Sequence, residues 1–320
     1  MPLLEVHNVT KYFPLGGGLF SKPKAWARAV NQVSFSLASG ETLGLVGESG
    51  CGKSTLGRML LGLIKPDSGS VLFQNQDLHS LEKKALKRLR QQMQLIFQDP
   101  YSSLDPRMKV ETIITEPLRA STGLTGTQRR RRAARLLEKV GLQAEDLHKY
   151  PHEFSGGQRQ RIGIARSLSV QPKLIVADEP VSALDVSIQA QIINLLQDLK
   201  TELELSFVFI AHDLSVVDHF CDRIAVMYLG QIVESAPASL FSANPGHPYR
   251  EALLSAVPLP EPGLGLQPEL MEGEVPDPVN PPAGCPFHPR CVHQIPQCRQ
   301  ESPALSEIEA GHFIACWKTQ

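Results

Sequence analysis

The chain has 320 residues and a formal net charge of −1 at pH 7. That length suits one large domain with an extension, and the near-neutral charge gives no indication of a nucleic-acid coat or a membrane-surface protein. No apolar run approaches the length that spans a bilayer. The N-terminal stretch MPLLEVHNVTKYF lacks the basic and apolar segments of a signal peptide. We therefore expect a protein made and kept in the cytoplasm.

Strand-like and helical patterns alternate along most of the chain. Period-two alternation predicts strands in LLEVHNVTKYF, AVNQVSFSL and ETLGLVG. Further strands are predicted in SVLFQ and MQLIFQ, apolar strands in KLIVADE and SFVFIAH, and a hairpin in RIAVMYLGQIVES. Helical patterns lie between them, in KSTLGRMLLGLI, SGGQRQRIGIARSLSV and SIQAQIINLLQDLKTEL. This order favours an α/β fold with a parallel sheet, and the helix-rich block at about 100–170 predicts an inserted subdomain.

The composition changes near residue 257. Twelve of the 25 prolines lie in residues 257–320, and proline excludes long helices and central strands. We predict a main domain over residues 1–256 and an irregular C-terminal extension over residues 257–320.

A glycine-rich loop follows the strand ETLGLVG. The sequence GESGCGKST, residues 47–55, satisfies G-x-x-x-x-G-K-[ST] between a predicted strand and a predicted helix. Its glycines allow the loop N–H groups to turn towards phosphate oxygens, and the helix dipole adds to the attraction. In this interpretation Lys53 reaches the β- and γ-phosphates and Ser54 places its hydroxyl on Mg²⁺.

Two further motifs narrow the reaction to nucleotide hydrolysis. The strand LIVADE ends in Asp178 and Glu179, which can hold Mg²⁺ through water and orient or deprotonate the attacking water. FSGGQRQR, residues 154–161, places a Ser-Gly-Gly turn before a helix, which makes a second anion-binding helix N-terminus. One nucleotide does not need two such sites on one chain, so we expect each subunit to lend this turn to a neighbour's nucleotide.

With these three motifs the sequence resembles the ATP-binding cassette (ABC) ATPases over about residues 1–256. The resemblance implies a P-loop NTPase fold with a RecA-like core, an antiparallel β subdomain and an inserted α-helical subdomain. It also implies that Tyr12 stacks on adenine, that Gln98 touches Mg²⁺ and the water, that Asp185 crosses the dimer interface, and that His212 contacts the γ-phosphate.

The resemblance therefore assigns a complete ATP site. The catalytic residues are Gln98, Glu179 and His212, and Mg²⁺ is held by Ser54, Gln98 and Asp178. The nucleotide-binding residues are Tyr12, Gly47, Glu48, Ser49, Gly50, Cys51, Gly52, Lys53, Ser54, Thr55, Gln98, Ser155, Gly156, Gly157, Gln158 and Asp178.

Two stretches indicate which branch of the family is involved. NPGHPYREALLSAVP, residues 244–258, and QDPYSSLDPRMKV, residues 98–110, resemble the ATPase subunits of dipeptide and oligopeptide importers, most closely the second ATPase of the dipeptide-type pair. The resemblance implies a second, homologous ATPase, two transmembrane permeases and an extracytoplasmic binding protein as partners. It places the chain peripherally on the cytoplasmic face of the bacterial inner membrane. Nickel and glutathione stay open as cargo, and a soluble ABC ATPase acting on nucleic acid is the distant alternative.

Four cysteines lie close together near the end of the chain. Cys285, Cys291, Cys298 and Cys316 are enough for a closed metal site, although their spacing does not distinguish one metal from another. Because the resemblance includes PPAGCPFHPRC, it implies a [4Fe–4S] cluster, with Zn²⁺ or free thiols as alternatives.

An arginine run, Arg129–Arg132, lies in the predicted helical subdomain. It has no aromatic neighbours of the kind that bind single-stranded nucleic acid. We interpret it as a solvated helix face, with contact to the lipids of the inner leaflet as the alternative, and expect no nucleic-acid partner.

Overall fold

The structure is a computed structural model. It describes residues 1–16, 23–99, 101, 103–121, 123–212, 214–241, 246–255 and 273–319.

The described residues form the following elements. The strands, in chain order, are β1 (Leu4–Leu15), β2 (Ala25–Leu37), β3 (Thr42–Val46), β4 (Ser68–Phe73), β5 (Gln76–Asp77), β6 (Met93–Ile96), β7 (Leu174–Asp178), β8 (Ser206–Ala211), β9 (Arg223–Tyr228), β10 (Gln231–Pro237), β11 (Ser306–Glu309) and β12 (His312–Ile314). The α-helices are α1 (Lys53–Leu60), α2 (Lys83–Leu89), α3 (Val110–Ser121), α4 (Gly126–Lys139), α5 (Gly156–Leu168), α6 (Val186–Leu203), α7 (Leu214–Phe220), α8 (Ala238–Phe241) and α9 (Pro248–Ser255).

The first of two compact units comprises residues 1–37, 42–79 and 211–320. Four of its strands form an antiparallel sheet in the order β2-β1-β4-β5. In a second group of strands, β3 pairs in parallel with β9, and β9 pairs antiparallel with β10 as the predicted hairpin. Every residue of β3 is buried. Gly44 is required there because an added Cβ would lie 2.3 Å from Val217 Cγ1 on α7.

The C-terminal extension contains a hairpin that the sequence analysis did not predict. β12 pairs antiparallel with β11 on one side and with β10 on the other. The last proline of the chain is Pro303, so the residues after it can take part in a strand ladder. Gly311, at a φ of 76°, makes the turn between the two strands. Residues 256–272, at the start of the predicted extension, lie outside the described residues.

The second unit comprises residues 38–41 and 80–210. Its strands β6, β7 and β8 are parallel and adjacent in that order. β7 is buried along its whole length, as expected of a parallel strand covered on both faces. The helices α3, α4 and α5 pack against one another. No helix in the described part of the chain is both long enough and apolar enough to cross a membrane.

Candidate nucleotide site and catalytic residues

The phosphate loop, residues 47–55, connects β3 to α1 in the first unit. Gly47 and Gly52 have φ angles of 149° and 107°, which residues with a side chain rarely adopt. A Cβ on Gly47 would lie 2.2 Å from the Met227 carbonyl oxygen, and one on Gly52 would lie 1.9 Å from the Ala29 carbonyl oxygen. Both glycines are therefore required by the neighbouring backbone as well as by the turn.

Lys53 lies inside this loop. Its Nζ donates to the carbonyl oxygens of Gly47 at 2.6 Å and Glu48 at 2.9 Å, and the residue is only 4% exposed. Gly52 is the N-cap of α1 and makes no side-chain capping bond. The helix therefore begins without a side-chain acceptor at its positive end, which is the arrangement that suits a phosphate. The loop therefore has the glycine conformations and the helix start that the phosphate-binding prediction requires.

Tyr12 borders a separate cavity of about 630 Å³ in the same unit, together with Trp26, Arg28, Asp67 and Asn280 among others. The Tyr12 hydroxyl donates to Asn31 Oδ1 at 3.3 Å, and the Arg28 guanidinium carbon lies 5.9 Å from the ring centroid. A cavity lined by both aromatic and polar side chains has the chemistry that a nucleobase requires.

Gln98 and Glu179, both predicted to act in hydrolysis, contact each other in the second unit. Asp178 ends β7 and is buried, and Glu179 follows with a φ of 47°. Such a left-handed backbone is uncommon for a residue with a side chain and is typical of functional sites. Gln98 Nε2 donates to Glu179 Oε2 at 2.8 Å. Sequence reasoning assigned a role to each residue but did not predict this contact, because 81 positions separate them.

The Ser-Gly-Gly-Gln turn begins α5 with a complete capping box. Ser155 Oγ accepts from the Gln158 N–H at 3.4 Å, and Gln158 Oε1 accepts from the Ser155 N–H at 3.0 Å. An added Cβ on Gly157 would lie 2.6 Å from Ile188 Cγ2, so the turn packs closely against α6. Ser155 and Gln158 are exposed, and the turn can therefore meet another molecule.

His212, the remaining residue predicted to act in catalysis, belongs to the first unit. It directly follows β8 and is exposed.

One set of contacts at the phosphate loop was missed by sequence reasoning. Arg290, from the C-terminal extension, donates to both carboxylate oxygens of Glu48. The Tyr249 hydroxyl accepts from the Glu48 N–H at 2.8 Å. Neither residue carries a local signal of this role, since Tyr249 stands in a tail motif and Arg290 in a proline-rich stretch.

Comparison with known proteins agrees with this geometry. The profile of the ABC transporter family matches residues 30–182, and the profile of the oligopeptide/dipeptide transporter C-terminal region matches residues 233–298. The chain is 50% identical over 317 residues to the oligopeptide transport ATP-binding protein AppF of Bacillus subtilis, covering 98% of this chain and 96% of the relative. It is 49% identical over 318 residues to the dipeptide transport ATP-binding protein DppF of Haemophilus influenzae, covering 99% and 96%.

Solved structures give the same fold. The dimeric structure of the ATP-binding cassette MJ0796 in a post-hydrolysis state, bound to ADP and Pi, has a TM-score of 0.66 and 29% identity, and the match covers 73% of this chain and 98% of that one. CbiO1 from Clostridium perfringens has a TM-score of 0.64 and 26% identity, and the match covers 76% of this chain and 91% of that one.

The predicted fold class is confirmed. The fold and the loop define a P-loop ATPase that uses ATP and Mg²⁺. More particularly, the chain belongs to the family of ABC transporter ATP-binding proteins, in its oligopeptide/dipeptide branch.

The predicted [4Fe–4S] cluster is wrong. The family found is that of the ABC transporter ATPases, and among the described residues no group of three or more His, Cys, Asp or Glu side chains is arranged to hold a metal ion. The same finding speaks against Zn²⁺. Cys285, Cys291, Cys298 and Cys316 are free thiols that line one cavity. Burial raises the pKa of Cys285 to about 11 and also raises those of Cys291 and Cys316. Without a metal, these thiols are therefore mostly protonated at neutral pH.

Proposed function

We propose that this chain is the ATP-binding and ATP-hydrolysing subunit of an ABC importer for di- or oligopeptides. The observation that carries the proposal is its likeness, over 98–99% of its length, to proteins named for oligopeptide and dipeptide transport. The match to the oligopeptide/dipeptide C-terminal region supports the same branch. These names favour peptides over nickel or glutathione as cargo.

Residues of the first unit would bind the nucleotide. The N–H groups of residues 47–55 and the Lys53 ammonium would hold the phosphates, and Lys53 would exchange its carbonyl contacts within the loop for phosphate oxygens. The Ser54 hydroxyl would hold Mg²⁺, which spreads the negative charge of the transferring phosphoryl group when bound. Tyr12 would hold the adenine and His212 the γ-phosphate.

Residues of the second unit would serve hydrolysis. Asp178 and Gln98 would act on the metal, and Glu179 would orient or deprotonate the attacking water. The hydrogen bond from Gln98 Nε2 limits the positions that the Glu179 carboxylate can take. A change at the reacting water would alter this hydrogen bond, and Gln98 would transmit the change towards the permeases.

The exposed turn at residues 155–158 would complete the nucleotide site of a second, homologous ATPase, and that partner would complete the site of this chain. The dimeric structure of the related cassette MJ0796 supports such an assembly. Hydrolysis would reopen the head-to-tail dimer and drive two permeases that receive cargo from an extracytoplasmic binding protein. The chain would then lie at the cytoplasmic face of the inner membrane, peripheral to the permeases.

The test is transport and ATP hydrolysis by the complex purified from membranes and placed in vesicles. We expect Glu179→Gln to bind ATP normally and to lower the hydrolysis rate by about 10²–10⁴-fold, the usual contribution of a general base. Glu138→Gln, on the exposed face of α4, is the matched control and should hydrolyse ATP like the wild type.

The same vesicles separate the candidate substrates. Peptide-loaded binding protein should stimulate hydrolysis and deliver labelled dipeptide, whereas Ni²⁺ and glutathione should do neither. Stimulation by nickel or glutathione instead would contradict the peptide assignment. Purification without permeases, together with ATP hydrolysis stimulated by nucleic acid, would favour the soluble alternative.

A further inference from the structure

The phosphate loop contains a carboxylate at a place where it opposes binding. Glu48 directly follows Gly47 in the loop, and its side chain is 25% exposed. A carboxylate and a phosphate group repel each other, and the repulsion is stronger where protein replaces water. An uncompensated charge at Glu48 would therefore weaken the binding of a triphosphate.

Arg290 compensates this charge. Its Nη1 donates to Glu48 Oε2 at 2.7 Å and its Nη2 donates to Glu48 Oε1 at 3.0 Å. Two parallel bonds to one carboxylate form the strong, directional pairing that arginine makes with carboxylates. The Arg290 side chain is 6% exposed, so the pair is screened less than a surface ion pair. Its hydrogen bonds to Glu48 raise the pKa of Arg290, which keeps the guanidinium charged.

Tyr249 holds the backbone of the same residue. Its hydroxyl accepts from the Glu48 N–H at 2.8 Å, and the residue is fully buried. Its ring packs against Tyr228 at a centroid distance of 4.7 Å and against Phe287 at 5.4 Å. The tyrosine is thus fixed by aromatic neighbours. Glu48 is restrained at its main chain by Tyr249 of α9 and at its side chain by Arg290 of the C-terminal extension.

We propose that Arg290 is a positioning residue for phosphate binding, which neutralises Glu48 and, together with Tyr249, fixes the start of the phosphate loop. In this way α9 and the C-terminal extension set the affinity of the loop for nucleotide. The inference rests on the proposed function, since it takes ATP as the ligand of residues 47–55.

The test is a charge-rescue experiment on the full-length chain, with MgATP binding measured by isothermal titration calorimetry. Arg290→Met keeps the length of the side chain but exposes the phosphates to the Glu48 charge, and we expect an ATP dissociation constant about tenfold higher. Glu48→Gln should lower the ATP dissociation constant, because it removes the negative charge and leaves the positive charge of Arg290 beside the loop. In the double variant no carboxylate remains to repel the phosphates, so the affinity should return to within about twofold of the wild type.

A control variant and a substitute variant separate positioning from a general loss of structure. Arg299→Met removes another arginine of the C-terminal extension, whose guanidinium donates to Gln294 Oε1, and should leave ATP binding unchanged. If Arg290→Met does not fold, Arg290→Lys provides the same comparison. It keeps the charge but loses one of the two bonds, so we expect an intermediate affinity that Glu48→Gln again restores.

The outcomes are distinguishable. The inference is overturned if Arg290→Met, or Arg290→Lys in its place, binds ATP like the wild type, or if Glu48→Gln fails to rescue the loss. If the wild type itself does not bind MgATP, or if Lys53→Ala binds it equally well, the proposed function fails instead.

Discussion

The buried ion pair between Glu234 and Arg250 tests what holds β10, α9 and β12 together in the first unit. The Glu234 side chain is fully buried in β10, and that of Arg250 in α9 is 2% exposed. Arg250 Nη1 donates to Glu234 Oε1 at 3.0 Å, and His312 Nε2 lies 2.8 Å from the same oxygen. The other oxygen accepts from the His247 N–H at 2.7 Å. One carboxylate thus joins β10, α9 and β12.

Arg250→Met is the perturbation of choice because it removes the charge and keeps much of the side-chain volume. The Glu234 carboxylate would stay buried without its arginine partner, which costs about 3–5 kcal/mol of unfolding free energy. Glu234→Gln combined with Arg250→Met removes both charges. We expect the double variant to be more stable than Arg250→Met, since no unpaired charge is left in the interior.

The assay is urea unfolding followed by circular dichroism, with hydrogen exchange of the β10 amides to locate the change in the first unit. Arg107→Met is the control, because Arg107 also pairs with a carboxylate through two bonds but lies at the surface, and it should not alter stability. A loss below about 1 kcal/mol for Arg250→Met, or a double variant less stable than the single one, would refute this reasoning.

Two further predictions concern the signature turn and the tail motif. Ser155→Ala removes the capping box of α5, and Thr125→Ala removes that of α4. Each variant should lose about 1 kcal/mol of stability. Only Ser155→Ala should also lower ATP hydrolysis by the assembled complex. Burial lowers the pKa of His247 from 6.5 to about 4, so the unfolded state binds the proton more tightly. Stability should therefore fall by up to about 3 kcal/mol as the pH decreases from about 6.5 to 4, and His247→Asn should reduce that pH dependence.

Matched measurements decide both predictions. Equal ATP hydrolysis by Ser155→Ala and Thr125→Ala would count against a role of the signature turn in the dimer. For His247, the urea midpoint is measured from pH 4 to pH 8 in the wild type and in His247→Asn. Parallel pH profiles would show that this imidazole does not titrate as burial predicts.

Much of the chemistry could be predicted from sequence because it is local. The loop at residues 47–55 needs only its own glycines, its lysine and the elements on either side. Asp178 and Glu179 are consecutive, and Ser155 and Gln158 lie within one helical turn, so short-range geometry already brings each pair together. The strand and helix patterns around them were sufficient to indicate an α/β ATPase of this family.

The C-terminal region shows where sequence reasoning fails. The [4Fe–4S] prediction rested on four clustered cysteines and on the family resemblance of PPAGCPFHPRC. Neither gives the burial or the mutual direction of the thiols, and the cluster is not supported. The short hairpin of β11 and β12 was likewise missed, since its strands are stabilised by pairing with β10 and not by a strong local pattern.

By itself the sequence determined the nucleotide motifs and the family, because these depend on residues adjacent in the chain and on the conformations that glycine, lysine and capping residues favour. Only the tertiary structure decided that Gln98 meets Glu179, that Ile188 requires a glycine at position 157, and that Arg290 meets Glu48 across 242 positions. Contacts between distant segments depend on how strands pair and helices pack. No local preference of either partner specifies them.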